Sequence, residues 1–112
     1  MGGQFFFDSE IEPVELVKGM TSRKIKAHGG AMMLVEMSFE TGGEGAPHRH
    51  PHEQVTYCAE GDFDFTLGGV TRRLGPGDSV HIPADGPEHG VRCVAKGRLL
   101  DIFTPQREDF LR

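Results

Sequence analysis

Cysteine is scarce in this 112-residue chain. Cys58 and Cys93 are the two it has, too few for a disulfide framework in a domain of this size, and in a reducing compartment both stay thiols. No apolar run approaches the length that crosses a bilayer. The stretch Met1-Gly2-Gly3-Gln4-Phe5-Phe6-Phe7-Asp8 has neither the basic flank nor the cleavage region of a signal peptide. The sequence therefore predicts a soluble cytoplasmic protein with no membrane association. Basic residues are also few: 12 Lys and Arg stand against 17 Asp and Glu, a net charge of −5 with His neutral. They are scattered, so the basic stripe of a nucleic-acid binder is missing.

What the chain has in quantity is Gly and Pro, 16 and 7 residues. Turn formers at that density suit short strands better than long helices, and a chain this short predicts one domain. Apolar-polar alternation of period two recurs from Arg23 to Thr104, broken by Gly or Pro clusters at intervals of roughly ten residues, the spacing of a sandwich or barrel. Over 31–39, Met33, Val35, Met37 and Phe39 share a face; over 62–67, Phe63, Phe65 and Leu67 face one way, Asp64 and Thr66 the other. Gly68-Gly69 is read as a hairpin turn leading into a strand over 70–74, because Gly reaches the positive φ such turns require. Gly75-Pro76-Gly77-Asp78 makes the next turn, 79–82, 90–95 and 98–104 give three more strands, and 108–111 a short helical turn.

Six histidines are present, three of them within five residues: His48-Arg49-His50-Pro51-His52-Glu53-Gln54. On a strand His48 and His50 point to the same face, so two imidazoles reach one ion, and Gln54 shares their parity with a carbonyl oxygen to offer. Imidazole with oxygen donors suits Zn, Fe, Ni, Co or Mn rather than Ca or Mg. The fourth ligand stays open at this point, since His52 has the parity of Gln54 and Glu53 is the stronger donor by charge. His28, beside Gly29-Gly30 in an expected turn, and His81, out of phase with Val80 and Ile82, are read as structural or exposed. Cys58 shares the phase of Gln54, and Cys93 that of His89, which predicts two small interior residues with thiolate ligation as the alternative. Tyr57 falls on the opposite phase.

Asp101 interrupts the run Leu99-Leu100-Asp101-Ile102-Phe103. A carboxylate on an apolar strand costs on the order of several kcal/mol to bury unless it is paired or bonded. Asp101 and Phe103 share a face with Leu99; if that face lines a barrel, Asp101 points toward the metal, and the alternative is an Asp paired with an Arg at a sheet edge. Arg107 follows near the expected barrel mouth, where its guanidinium fork suits a substrate carboxylate held bidentately; an exposed surface Arg is the other reading. The apolar Phe5-Phe6-Phe7 cluster ahead of the first barrel strand, in a chain small enough to gain core by pairing, predicts a homodimer.

Two spacings carry a family resemblance. Gly42, five residues, His48-x-His50, three residues, Gln54, six residues and Gly61 resemble the first motif of the cupin superfamily, in which a Glu usually stands where Gln54 does. Gly77-Asp78-Ser79-Val80-His81-Ile82-Pro83-Ala84-Asp85-Gly86-Pro87-Glu88-His89 resembles the second, with His89 at the last ligand position. From Pro83 to His89 it is one residue longer than usual, and Cys93 stands where that motif has Asn. The resemblance implies an all-β fold, a small single-domain cupin β-barrel (a double-stranded β-helix or jelly roll) over residues 1–112, with the barrel core at about 23–104 and a short C-terminal segment at 105–112.

Within the superfamily, His50-Pro51-His52-Glu53-Gln54 together with the segment from Asp101 to Phe110 is similar to the pectin-degradation, KdgF-type branch. That branch opens the ring of 4,5-unsaturated uronate monosaccharides, from pectin or alginate, to a linear keto-uronate. The likeness implies one divalent transition metal on His48, His50, Gln54 and His89, catalytic and substrate-binding roles for Asp101, Phe103 and Arg107, and a small anionic sugar acid as substrate. An Fe-dependent cupin dioxygenase and a non-catalytic small-molecule-binding cupin are the alternatives.

Overall fold

The computed structural model describes residues 2–112, and its regular secondary structure is almost wholly strand. In chain order these are β1 (Val14–Val17), β2 (Thr21–Gly29), β3 (Met32–Phe39), β4 (Glu44–His48), β5 (Glu53–Leu67), β6 (Val70–Leu74), β7 (Ser79–Ile82) and β8 (His89–Thr104). Short 3-10 turns lie at Asp8–Glu10 and Glu108–Leu111. All pairings are antiparallel and form one sheet in the order β1-β2-β3-β8-β5-β6, with β4 added to β8 and β7 to β5. No helix among the described residues is long and apolar enough to cross a membrane.

Strands β5 and β8 form the spine, paired to each other along most of their lengths, and each bends midway to serve both ends of the barrel. The bend is a backbone crossing. Register shifts fall between Cys58 and Phe63 on β5, where Gly61 takes φ +84°. A Cβ on Gly97 would stand 2.0 Å from the Glu60 carbonyl oxygen, and one on Gly61 would stand 2.4 Å from that of Ala95. Only glycine lets two backbones pass so closely. The two strands expected over 90–95 and 98–104 are therefore one, β8: Lys96-Gly97 looks like a turn in sequence but acts as the notch through which β5 passes.

The expected alternation is clear on β5, where Gln54, Thr56 and Cys58 are buried between the exposed Glu53, Val55 and Tyr57. Opposite them on β8 lie Phe103, Asp101 and Leu99, and opposite those on β3 lie Met33, Val35 and Met37. Phe39, Phe63, Phe65, Leu74, Ile82 and Leu99, with both cysteine side chains, fill one part of the interior. Phe39 and Phe63 meet edge to face at 5.2 Å, a favoured aromatic geometry. A second cluster of Met33, Val35 and Phe103 packs at the other end beneath Phe110. Beside this second cluster the same interior carries polar residues.

Candidate metal centre

His48 is the last residue of β4, His50 lies in the connection that follows, Gln54 is the second residue of β5, and His89 opens β8 paired with His48. The expectation of one strand through 48–54 does not hold, because Pro51 breaks the ladder after His48. The connection nevertheless folds His50 back inward. Imidazole ligand atoms of His48, His50 and His89 all lie within 4.8 Å of one another, and no other group of three or more His, Cys, Asp or Glu among the described residues is so gathered.

The hydrogen bonds narrow which nitrogens are free. His48 Nδ1 donates to the Ala46 carbonyl at 2.9 Å, and a carbonyl only accepts, so in neutral His48 the hydrogen sits on Nδ1 and Nε2 carries a lone pair. His50 faces a carbonyl oxygen at each nitrogen, His52's 3.1 Å from Nδ1 and Gln54's 2.8 Å from Nε2. Burial pushes the pKa of His50 down, the Gln54 carbonyl pulls it part way back, and Arg107 and His48 lower it further. In His89 burial, then His48 and His50, push the pKa down to about 4. Both rings are neutral at physiological pH.

Two features fit a cation. A neutral His50 has one hydrogen for the two carbonyl oxygens that face its ring, so one of its nitrogens turns a lone pair toward an oxygen. His89 is 4% exposed and neither ring nitrogen has a hydrogen-bond partner; the Pro87 carbonyl acts on the ring but completes no bond. A buried polar group left bare costs about 1–3 kcal/mol, which a divalent ion among the three rings would offset. Three neutral imidazoles and an amide oxygen form a borderline donor set for Ni, Zn, Mn, Fe or Co.

The alternatives for the fourth position separate cleanly. Gln54 is buried beside His50, whereas Glu53 faces outward and accepts from His81 Nε2 at 2.6 Å. His52 packs its ring near Phe103, centroids 6.2 Å apart, outside the group of three. Cys58 and Cys93 are fully buried in the apolar cluster, and burial pushes both thiol pKa values up. Such thiols are inert core residues. His28 lies on β2 rather than in a turn, and its Nδ1 donates to Gln106 Oε1 at 2.8 Å. It is structural, as expected.

Asp101 faces inward, and its partner is a threonine rather than an arginine. Thr56 Oγ1 donates to Asp101 Oδ1 at 2.7 Å and accepts from Gln54 Nε2 at 2.8 Å. Burial raises the Asp101 pKa to about 6 against the lowering effects of Thr56 and Gln54. A carboxyl group held so near neutrality suits proton transfer. Nothing in the sequence singles out Thr56: a threonine on a strand reads as an ordinary β-former, and only its register opposite Asp101 reveals the contact.

Phe103 forms one wall, its ring centroid 5.7 Å from that of His50. Arg107 lies over the Phe110 ring at 4.2 Å and over Phe103 at 5.2 Å, with Nε and Nη2 both donating to Asp109 at 3.1 and 2.9 Å. Its fork thus already holds one carboxylate, from the chain itself. These residues enclose a cavity of about 100 Å³ that also reaches His48, Gln54 and His89. It is smaller than the ~300–1,000 Å³ of typical ligand pockets. Arg107 and Phe110 line its mouth. A wider groove of about 620 Å³, between the N-terminal segment and the β2–β3 turn, carries none of these groups.

The description "Cupin domain" fits a family model matched over residues 35–103. The pectin degradation protein KdgF of Dickeya dadantii (strain 3937) is 36% identical over 110 residues, covering 96% of this chain and 98% of that protein. The crystal structure of an RmlC-like cupin from Shewanella frigidimarina is 36% identical with a TM-score of 0.90, covering 97% of this chain and 96% of that one. KdgF from Halomonas sp. is 35% identical with a TM-score of 0.90, covering 97% and 99%. A jelly-roll barrel with three converging imidazoles and sequence likeness along nearly the whole chain lead to one conclusion: the protein belongs to the cupin family, in the group of the pectin degradation protein KdgF.

Proposed function

We propose that the protein is a metal-dependent, isomerase-type enzyme that converts 4,5-unsaturated uronate monosaccharides, from pectin or alginate, into the linear keto-uronate. The observation that carries this reading is one connected site: three imidazoles within 4.8 Å of one another, joined through Gln54 and Thr56 to the inward carboxyl of Asp101. The KdgF relatives support the substrate class.

His48, His50, His89 and Gln54 hold the divalent ion in this reading. Bound there, the ion supplies Lewis acidity toward the oxygens of the sugar. Three neutral rings and a neutral amide cancel none of its charge, so the site attracts an anionic substrate. Ring opening breaks the hemiacetal bond between C1 and the ring oxygen: C1 becomes an aldehyde and the ring oxygen stays on C5 as an enol. The enol becomes a ketone when C4 gains a proton, so the overall change is an isomerisation with no co-reactant. Asp101 moves that proton; its pKa of about 6 lets it give and regain one near neutral pH. Phe103 is the wall against the sugar ring. Arg107 takes the substrate carboxylate in exchange for Asp109, since the fork geometry is the same for either carboxylate.

The enzyme works in this reading as a cytoplasmic homodimer. Phe5 and Phe7 are 85% and 57% exposed, and Met32 beside the N-terminal groove is 58% exposed; a second copy would cover them. Metal analysis of protein purified without chelators, joined to an assay for loss of the unsaturated-uronate absorbance, tests the function. One metal per chain and metal-dependent loss of absorbance are expected. A metal-replete protein that leaves the absorbance unchanged overturns the reading, and a monomeric mass at micromolar concentration overturns the dimer.

A further inference from the structure

Thr56 is fully buried, and its hydroxyl bridges the ligand set and the carboxyl group: Oγ1 lies 2.8 Å from Gln54 Nε2 and 2.7 Å from Asp101 Oδ1. A threonine hydroxyl has one hydrogen to give and two lone pairs. An ionised carboxylate only accepts, so that hydrogen goes to Asp101. Thr56 then offers only lone pairs to its other neighbour, and only the NH₂ end of Gln54 can meet them. The two ends of the amide are fixed to the same planar carbon, so the carbonyl oxygen turns toward His50 Nε2, 2.8 Å away.

We infer that Thr56 is a positioning residue that fixes the orientation of the Gln54 amide, holding its carbonyl oxygen toward the three imidazoles. The inference rests on the ligand set proposed above and adds what makes Gln54 a one-sided donor. An amide flipped the other way would aim two N–H groups at a cation and repel it. A glutamate at this position would have two equivalent oxygens, so no neighbour would be needed to choose between them. That difference separates an orienting role from a merely structural one.

The test uses the full chain stripped of metal and titrated with Co(II), read by calorimetry and by the visible ligand-field bands. Wild type is expected to bind one Co(II) per chain. Thr56→Val, which keeps the shape and removes the hydroxyl, is expected to weaken binding about 10–100-fold, the usual cost of losing a residue that orients a ligand, and to shift the visible bands. Thr56→Ser, which restores the hydroxyl, returns both toward wild type. In a Gln54→Glu background, Thr56→Val is expected to cost far less. Equal losses in the two backgrounds, or no loss in either, overturn the inference. If Gln54→Ala matches wild type in affinity and bands, the ligand reading itself fails and takes the inference with it; if Gln54→Ala loses both while Thr56→Val does not, only the inference fails. Circular dichroism checks the fold of each variant, and should Thr56→Val not fold, Thr56→Ala takes its place in the same cycle.

Discussion

The two ends of the barrel interior are built from the same strands and obey opposite rules. Toward one end, β5 and β8 point Cys58, Phe63, Phe65, Cys93 and Leu99 inward, and apolar side chains fill the space. Toward the other, the same two strands point Gln54, Thr56, His89 and Asp101 inward. That end holds a cavity, a carboxyl raised toward neutrality and a histidine with two bare nitrogens. The apolar end supplies the burial that holds the sheet closed. The polar end draws on it, because each buried polar group has lost water and regains only part of that loss from its neighbours. Strain of this kind at a functional site is tolerated only where the rest of the fold is well determined.

The largest expected effect tests the apolar end. Phe63 is fully buried and meets Phe39 edge to face, so Phe63→Ala is expected to remove about 3–5 kcal/mol of stability by combined transfer and cavity loss. Natural domains have only about 5–15 kcal/mol in total. A denaturant titration with unchanged slope and a much lower midpoint checks this; a shift equivalent to under about 1 kcal/mol would mean the cluster relaxes around the gap.

Asp101→Asn gives the contrasting result at the polar end. Activity is expected to fall by roughly two to four orders of magnitude, the usual range for a lost general acid or base. Bound metal is retained, and the midpoint of unfolding does not fall, because the substitution removes a carboxylate whose burial is unfavourable. Near-normal turnover would exclude Asp101 from the proton-transfer role; a large loss of stability would break the comparison between the two ends.

Sequence revealed the two ends unequally. Period-two alternation placed Cys58, Phe63 and Leu99 inside, and the odd charge in Leu99-Leu100-Asp101-Ile102-Phe103 marked Asp101 without any structure. The histidine cluster was visible as composition, and its spacing to Gln54 and His89 came from a family likeness rather than from strand parity, which Pro51 defeats. Contacts that depend on register between strands distant in sequence stayed hidden. Thr56 meets Asp101 only because β5 and β8 pair with that offset, and nothing along the chain shows that β8 runs on through Gly97, because the close neighbour of Gly97, Glu60, lies on another strand. Asp109 escaped for a different reason: a lone Asp near the terminus has no pattern, and only the folded C-terminal turn brings it onto Arg107.

Metal removal should narrow the gap between the ends from the other direction. A ligand that binds only the folded state stabilises it by about 2.7 kcal/mol at a hundredfold excess over its dissociation constant, which corresponds to roughly 10 °C in the melting temperature of a domain this small. Melting with chelator and with added Ni(II) or Zn(II) is expected to differ by that order. The difference should vanish in a His48→Ala, His50→Ala double variant. An unchanged difference in that variant would place the ion elsewhere.

The smallest effect concerns the mouth of the cavity, where the chain lays its own carboxylate in the fork proposed for the substrate. Arg107 is mostly covered and Asp109 about half exposed, and an ion pair in such a place is worth about 0–1 kcal/mol. Exchanging Asp109 for a substrate carboxylate is therefore nearly balanced, and Asp109→Asn is expected to lower KM by no more than about fivefold with kcat unchanged. Arg107 holds the Asp109 carboxyl below its usual pKa. A carboxyl with a lowered pKa keeps its pair above the ordinary carboxylate value and loses it only as pH falls through the lowered one, so the effect should persist unchanged between about pH 6 and 8. Arg107→Ala is the opposite control and raises KM. If Asp109→Asn raises KM as well, Asp109 does not compete with substrate but aims the guanidinium at it, and the C-terminal turn belongs to the built site rather than standing in its way.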